Sequence, residues 1–308
     1  MIRLASKNSL RPTGFRIKLD KWMRDLEPQI KEFRFTIYLL RQSPLVVAGF
    51  LLLTGFSLMA IFAPWITPYG PEQRIWAEPR LAPSWAHLFG TDENGADVFS
   101  RVIWGARIDL TIAFTVVCAA IIIGSVLGAI SGFSGGKVDE IMMRITDVFL
   151  AFPALILAMA VAAALGRSLT NLTIAMIVVW WPSYTRLIRG QVLSEREKLY
   201  VEAARAVGAS NRRIIFRHVL PNSIYPLLVN ATLDLGTVIL VAAGLSFIGF
   251  GAGAGIAEWG RMIADGRNYL FMAPWMATFP GLAILLSSLA FNLVGDGLRD
   301  VLDPRLRR

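Results

Sequence analysis

Asp234 follows Asn230 by four positions inside an otherwise apolar run, 225–250. On a helix that spacing places both side chains on one face. An ionisable residue in a segment long enough to span a bilayer is expensive and by default marks function. Asp234 could line a path and meet an ammonium group or a bound cation. It could equally pair with a basic residue on a neighbouring helix, and both readings stay open. Other reactive chemistry is sparse. The single cysteine, Cys118, sits in an apolar run and excludes an intrachain disulfide. His87 and His218 are too few and too far apart to suggest a metal site. None of the six lysines completes the phosphate-binding pattern G-x-x-x-x-G-K-[ST]; Lys137 in FSGGKV comes closest and fails at the first Gly and the following residue. No catalytic residue, metal or cofactor is assigned to the chain.

The most structured polar stretch is residues 195–222, EREKLYVEAARAVGASNRRIIFRHVLPN. Glu195 to Val207 is a run of helix formers, and Gly208 stops it as a C′ residue free to adopt positive φ. Ser210 is a natural N-cap for a second helix, with Ile215 and Val219 on one face and Phe216 and Leu220 on a neighbouring one. Pro221 is expected to end it. The product is a basic amphipathic helix–turn–helix: a rigid knob for a partner's groove, or a solvated hairpin.

Long apolar runs must hold these groups. Of the 308 residues, 55% are hydrophobic and 17% charged, against about 25% charged in soluble domains. Six segments suit bilayer spans: 45–64, 108–131, 145–166, 170–189, 225–250 and 274–295. The expected fold is therefore an all-α polytopic membrane protein. Its parts are a basic leader (1–44), a first span (45–64), an outer loop (65–107), a five-helix core (108–295) carrying the inner loop 190–222, and a tail (296–308). With the N-terminus inside, 24 Lys/Arg fall on inner segments and seven on outer ones. That asymmetry puts both termini in the cytoplasm. It also accounts for the net charge of +9 without nucleic acid. Arg144 and Asp147, three apart, are expected to pair locally. Trp180, Trp181, Trp259 and Trp275 are expected at the aromatic belts. Asp296, Arg299, Asp300 and Asp303 read as a solvated inner end. Gly124, Gly128 and Gly132 share one helix face, which suits close packing either within the chain or against a second pore subunit.

The 195–222 stretch resembles the EAA loop of ABC importer permeases: Glu202, Ala203, Ala204, Gly208, Leu220 and Pro221 match its spacing, with Ala209 and Ser210 in the turn. His218 stands where the general pattern has Ile. Other strings resemble the dipeptide/oligopeptide/nickel branch. GTDENGADVFSR is carried by Gly90, Thr91, Asp92, Gly95, Asp97, Ser100 and Arg101; DVFLAFPALILA, WWPSYTRLIRGQVLS, LSFIGFG and FNLVGDGLRDVLDP follow in order. The likeness runs from about Leu45 to Pro304, and the tail and leader resemble the C-type (DppC/OppC-like) partner of the paired permeases. Two departures stand out: Ala242 where the branch has an acidic residue, and AGAGIAE where it has a Pro-rich stretch.

The resemblance implies a type I importer fold with alternating access in the cytoplasmic (inner) membrane. It implies that the EAA loop docks in an ATPase subunit; the intramembrane charge, not the resemblance, makes Asn230 and Asp234 candidates to line the pore. The implied partners are a homologous B-type permease, two ATP-binding subunits that hold the ATP and Mg, an extracytoplasmic binding protein, and membrane lipid. The cargo would be di- or oligopeptides, or alternatively nickel, glutathione or opine-like solutes. An ion-coupled secondary transporter would need more intramembrane charges than one Asp. An intramembrane enzyme would need a nucleophile–base or metal constellation.

Overall fold

The computed structural model describes residue 38, residues 40–74 and residues 78–302. Most of the basic leader, and Asp303 in the tail, lie outside the described residues. Long apolar runs in a bilayer satisfy their backbone as helices, and the regular elements among the described residues are all helical, with one isolated bridge between Thr91 and Asp97. The elements are α1 (Pro44–Ile66), α2 (Val98–Ser134), α3 (Gly136–Leu150), α4 (Ala154–Leu165), α5 (Leu169–Glu195), α6 (Leu199–Ala206), α7 (Asn211–Ile214), α8 (Leu220–Ser223), α9 (Tyr225–Ile248), α10 (Trp259–Gly266) and α11 (Trp275–Leu302). A π-helical turn, Ile215–Val219, joins α7 to α8.

Helix boundaries follow local chemistry. Pro44 occupies the first turn of α1, where its missing N–H costs nothing. Asp97 caps α2 by accepting from the Ser100 N–H at 2.7 Å. Ser168 caps α5 by accepting from the Asn171 N–H at 3.0 Å.

Four helices, α1, α2, α9 and α11, are long and apolar enough to cross a membrane, and α3 with α4 makes a fifth if the bent pair is one span. The expected span 145–166, with Pro153 inside it, is bent rather than straight. Pro153 adopts extended backbone, so the helix stops at Leu150 and restarts at Ala154 with an 89° bend. The expected span 170–189 lies in α5, which has the length but carries Arg186 and Arg189 in its C-terminal half.

α2 is the central element, packed against α5, α1 and α9. Its glycine face settles the open alternative in favour of packing within the chain. A Cβ on Gly124 would sit 2.5 Å from the Tyr184 Cβ, one on Gly128 2.4 Å from the Thr185 carbonyl oxygen, and one on Gly132 2.9 Å from the Arg189 carbonyl oxygen. The α2 and α5 backbones approach closely because these three positions have no side chain. Gly128→Ala should therefore lower the thermal midpoint by an overpacking cost of about 1–3 kcal/mol. Gly190→Ala, with nothing within 4 Å of its Cβ, should not. Equal midpoints for the two variants in a detergent melt would refute the seam.

Candidate functional site

The loop that follows α5 is built in three steps. α5 runs on to Glu195, so the first loop helix begins at Leu199 rather than at Glu195 as expected. Glu195 organises the junction: its carboxylate accepts from Lys198 Nζ at 2.5 Å and from the Tyr200 hydroxyl at 2.7 Å. α6 then ends in a Schellman motif. The Gly208 N–H donates to the Arg205 carbonyl at 2.9 Å and the Ala209 N–H to the Ala204 carbonyl at 3.0 Å, while Gly208 has a φ of +79°. Ser210 caps α7, its Oγ accepting from the Arg213 N–H at 3.4 Å.

Pro221 does not end the helix, contrary to expectation. It sits in the first turn of α8, and the preceding π-turn shifts the hydrogen-bond register past its missing N–H. Side chains take up carbonyls there: Asn222 Nδ2 donates to His218 O at 2.7 Å and Ser223 Oγ to Val219 O at 2.9 Å.

Val201, Ile214, Ile215 and Val219 are buried between the loop helices and the body. The loop is also tied to the end of α2, with the Arg205 guanidinium 5.4 Å from the Phe133 ring centroid and Arg196 Nη1 donating to Gly132 O at 2.9 Å. The outer face is different. Leu199 is 81% exposed and Val207 84%, with Glu202 and Ala203 exposed between them and Ala204, Ala209 and Leu220 half-buried behind. Apolar side chains left at the two ends of a rigid helix, around an acidic centre, form a surface suited to a partner.

Ion pairs join α5 to α3. Asp139 accepts from Arg189 Nε and Nη2, both at 2.6 Å, and from Ser131 Oγ at 2.5 Å. The expected Arg144–Asp147 pair is absent. Asp147 turns toward α5 and takes Arg186 at 2.5 Å, leaving Arg144 to Glu140 one turn back at 3.1 Å.

Within α9, Asn230 Nδ2 donates to Asp234 Oδ2 at 3.1 Å, as their spacing requires. The wholly buried Tyr184 hydroxyl lies beside the same carboxyl without completing a hydrogen bond of its own.

The GTDENGADVFSR stretch forms a clasp before α2. Asp92 Oδ1 accepts from the Asn94 N–H at 2.8 Å and the Ala96 N–H at 2.9 Å, and its Oδ2 meets Arg101. Arg101 reaches on to the Ile256 carbonyl at 3.2 Å. Asp97 accepts from Ser100 Oγ at 2.7 Å and meets His87 Nδ1 at 3.0 Å. Thr91 Oγ1 donates to Glu78 O at 2.7 Å. Gly90, at a φ of +74°, leaves no room for a side chain against Leu81 and Trp275, and Gly95 turns the chain between Asp92 and Ala96.

Two expected belt tryptophans belong to this region instead. Trp259 is fully buried, its indole donating to Val102 O at 2.9 Å, and Trp275 donates to Thr91 O at 3.0 Å.

Sequence spacing gave no sign of His87, Asp109 or Glu258. Glu258 caps α10 by accepting from the N–H groups of Gly260 and Arg261 at 2.9 and 2.8 Å. Its carboxyl lies against that of Asp109, which accepts from the Trp259 N–H at 3.1 Å. Burial pushes the Glu258 carboxyl above the usual carboxylate range.

Comparison with known proteins agrees with this layout. The family model for the binding-protein-dependent transport system inner membrane component matches residues 124–308, and that for the N-terminal TM domain of oligopeptide transport permease C matches residues 36–83. The chain is 46% identical over 268 residues to the dipeptide transport system permease protein DppC of Alkalihalophilus pseudofirmus, covering 87% of this chain and 88% of that protein. It is 48% identical over 284 residues to the probable D,D-dipeptide transport system permease protein DdpC of Escherichia coli, covering 91% and 95%. Among solved structures it resembles an inward-facing form of the MetNI methionine ABC transporter, with a TM-score of 0.52, 23% identity, and coverage of 66% of this chain and 97% of that one.

Proposed function

The chain belongs to the family of binding-protein-dependent transport inner membrane components, and from that membership we propose that it is one pore-forming half of an ATP-driven importer of di- or oligopeptides. The observation that carries the reading is the exposed α6–Gly208–α7 knob. Its outer face leaves Leu199 and Val207 uncovered while its inner face is tied to α2.

On this reading the knob, with Glu202, Ala203, Ala204, Gly208, Ala209, Ser210, Leu220 and Pro221, seats in a cleft of an ATP-binding subunit. ATP and Mg²⁺ are held by two such subunits, and this chain supplies the path. A homologous B-type permease completes the pore, and an extracytoplasmic binding protein delivers cargo. Six spans with both termini in the cytoplasm follow if α5 and the bent α3–α4 pair each cross. Closure of the ATPase pair would move the knobs, and rigid-body motion of the helices would open the pore to each side in turn. The dipeptide class comes from the relatives named above. The clasp of Gly90, Thr91, Asp92, Gly95, Asp97, Ser100 and Arg101 would hold the external surface in shape for the binding protein.

The test is affinity purification of the tagged chain from its native membrane, with mass spectrometry of its companions. Recovery of a second permease and of one or two Walker-motif ATPases, with the ATPases lost on Glu202→Lys, is the expected result. Recovery of the chain alone, in a detergent that preserves such complexes, would overturn it.

A further inference from the structure

A cavity of about 400 Å³ opens at the start of α9, lined by Leu187, Tyr225, Val229, Asn230, Leu233 and Arg299. That volume lies within the roughly 300–1,000 Å³ of small-molecule sites. Its walls are apolar except at Asn230 and Arg299, with the Tyr225 hydroxyl on the same wall. Arg299, exposed on α11, has no ion-pair partner among the described residues. Asp234, one turn and about 6 Å further along α9, lies behind this wall and is hydrogen-bonded to Asn230, which lines it.

Asp234 also lacks a basic partner among the described residues. Its neighbours are neutral: the Asn230 amide and the buried Tyr184 hydroxyl, which has no completed bond of its own. Buried carboxyls are ordinarily paired with a cation. The neutral Asn230 amide orients this half-buried one and leaves its attraction for a positive charge intact. The opposite charge, Arg299, lines the same cavity as Asn230. The ends of an extended dipeptide are about 7 Å apart, more than the one turn of α9 that separates Asn230 from Asp234.

We propose that Asp234, oriented by Asn230, takes the ammonium group of a zwitterionic peptide while Arg299 takes its carboxylate. The cargo is then held by both charged ends as it passes α9. The hold is loose by construction, because a path must bind well enough to admit its cargo and weakly enough to release it. The proposal rests on the peptide-permease reading above and adds to it a site within this chain.

Cys118 is the chain's only cysteine, which makes a direct test available. In a Cys118→Ala background, Val229→Cys puts a thiol on the cavity wall and leaves every polar group in place. The whole transporter, nucleotide-free in lipid discs, is labelled with a maleimide, and the extent on this chain is read by mass. Glycylglycine at tens of millimolar should slow labelling about fivefold, the scale of a single partly exposed charge contact. N-acetyl-glycylglycine amide should not slow it. Asp234→Asn or Arg299→Gln, each checked for an unchanged thermal midpoint, should remove most of the protection.

Equal slowing by the blocked analogue, no slowing at all, or a thiol that never reacts would each overturn the two-ended site. The same preparation is assayed for dipeptide uptake driven by ATP and the loaded binding protein. If uptake fails, the permease reading fails; if uptake holds without protection, only the site falls.

Discussion

Replacing Gly208 by valine should abolish ATP-driven uptake while leaving the chain in the membrane at its normal level. Gly208 holds a φ of +79° at the C′ position of α6, and a Cβ there would meet nothing within 4 Å. Space is therefore not the constraint; backbone conformation is. A residue with a side chain costs roughly 1–2 kcal/mol in the left-handed region, and a β-branched one more. The loop cannot absorb that cost in place. The Gly208 and Ala209 N–H bonds that close α6 both require the left-handed turn, so strain would be relieved by swinging α6 away from α7. The surface that carries Leu199, Glu202 and Val207 would then be turned away from its place beside α7. Because Gly208 is exposed and a side chain there meets nothing within 4 Å, the body of the protein should fold as before. The order expected in vesicle uptake is Gly, then Asn, then Ala, then Val, since Asn visits the left-handed region most readily. Immunoblotting fixes the membrane level. Normal uptake with Val, or Asn ranking below Ala, would show that turn geometry does not govern coupling.

The sequence was most legible where one residue's local chemistry decides the structure. Ser210 and Gly208 act as their types dictate, because a cap or a left-handed turn needs no knowledge of distant chain. The Asn230–Asp234 bond is of the same kind, since both ends lie on one helix. Legibility failed where two distant segments decide together. Asp109 accepts from a backbone N–H 150 positions away, and nothing in its local run announces that. Trp259 has the type and position of a belt residue, but Gly105 on α2 leaves a slot that its indole fills. Arg144 and Asp147 had suitable spacing, but α5 offered Asp147 a nearer cation in Arg186. Pro221 was read by its intrinsic effect, whereas a π-turn upstream and the Asn222 and Ser223 side chains absorb its missing donor. The break at Pro153 erred in the other direction. Pro153 was visible inside the expected span, but hydropathy alone does not say how far the chain bends where the residue before it leaves the helix.

The largest expected loss of stability comes from Asp92→Ala. Asp92 and Arg101 are 4% and 3% exposed, and Asp92 performs two tasks at once. One oxygen holds the turn through the Asn94 and Ala96 N–H groups, and the other faces the Arg101 guanidinium. Removing the carboxylate leaves a buried guanidinium whose remaining partner is the Ile256 carbonyl. Breaking a buried pair from one side costs about 3–5 kcal/mol, and each lost turn bond adds about 0.5–1.5 kcal/mol. Asp92→Asn keeps an acceptor for the turn and loses only the charge, so it should fall between. The decisive variant is the double change Asp92→Ala with Arg101→Met, which removes both charges and fills the space. If the unpaired guanidinium dominates, the double variant should melt higher than Asp92→Ala alone, as neutral replacement of a whole buried pair generally does. If it melts no higher, the damage lies in the turn. Either result separates the two tasks that a single aspartate performs at the entrance to α2.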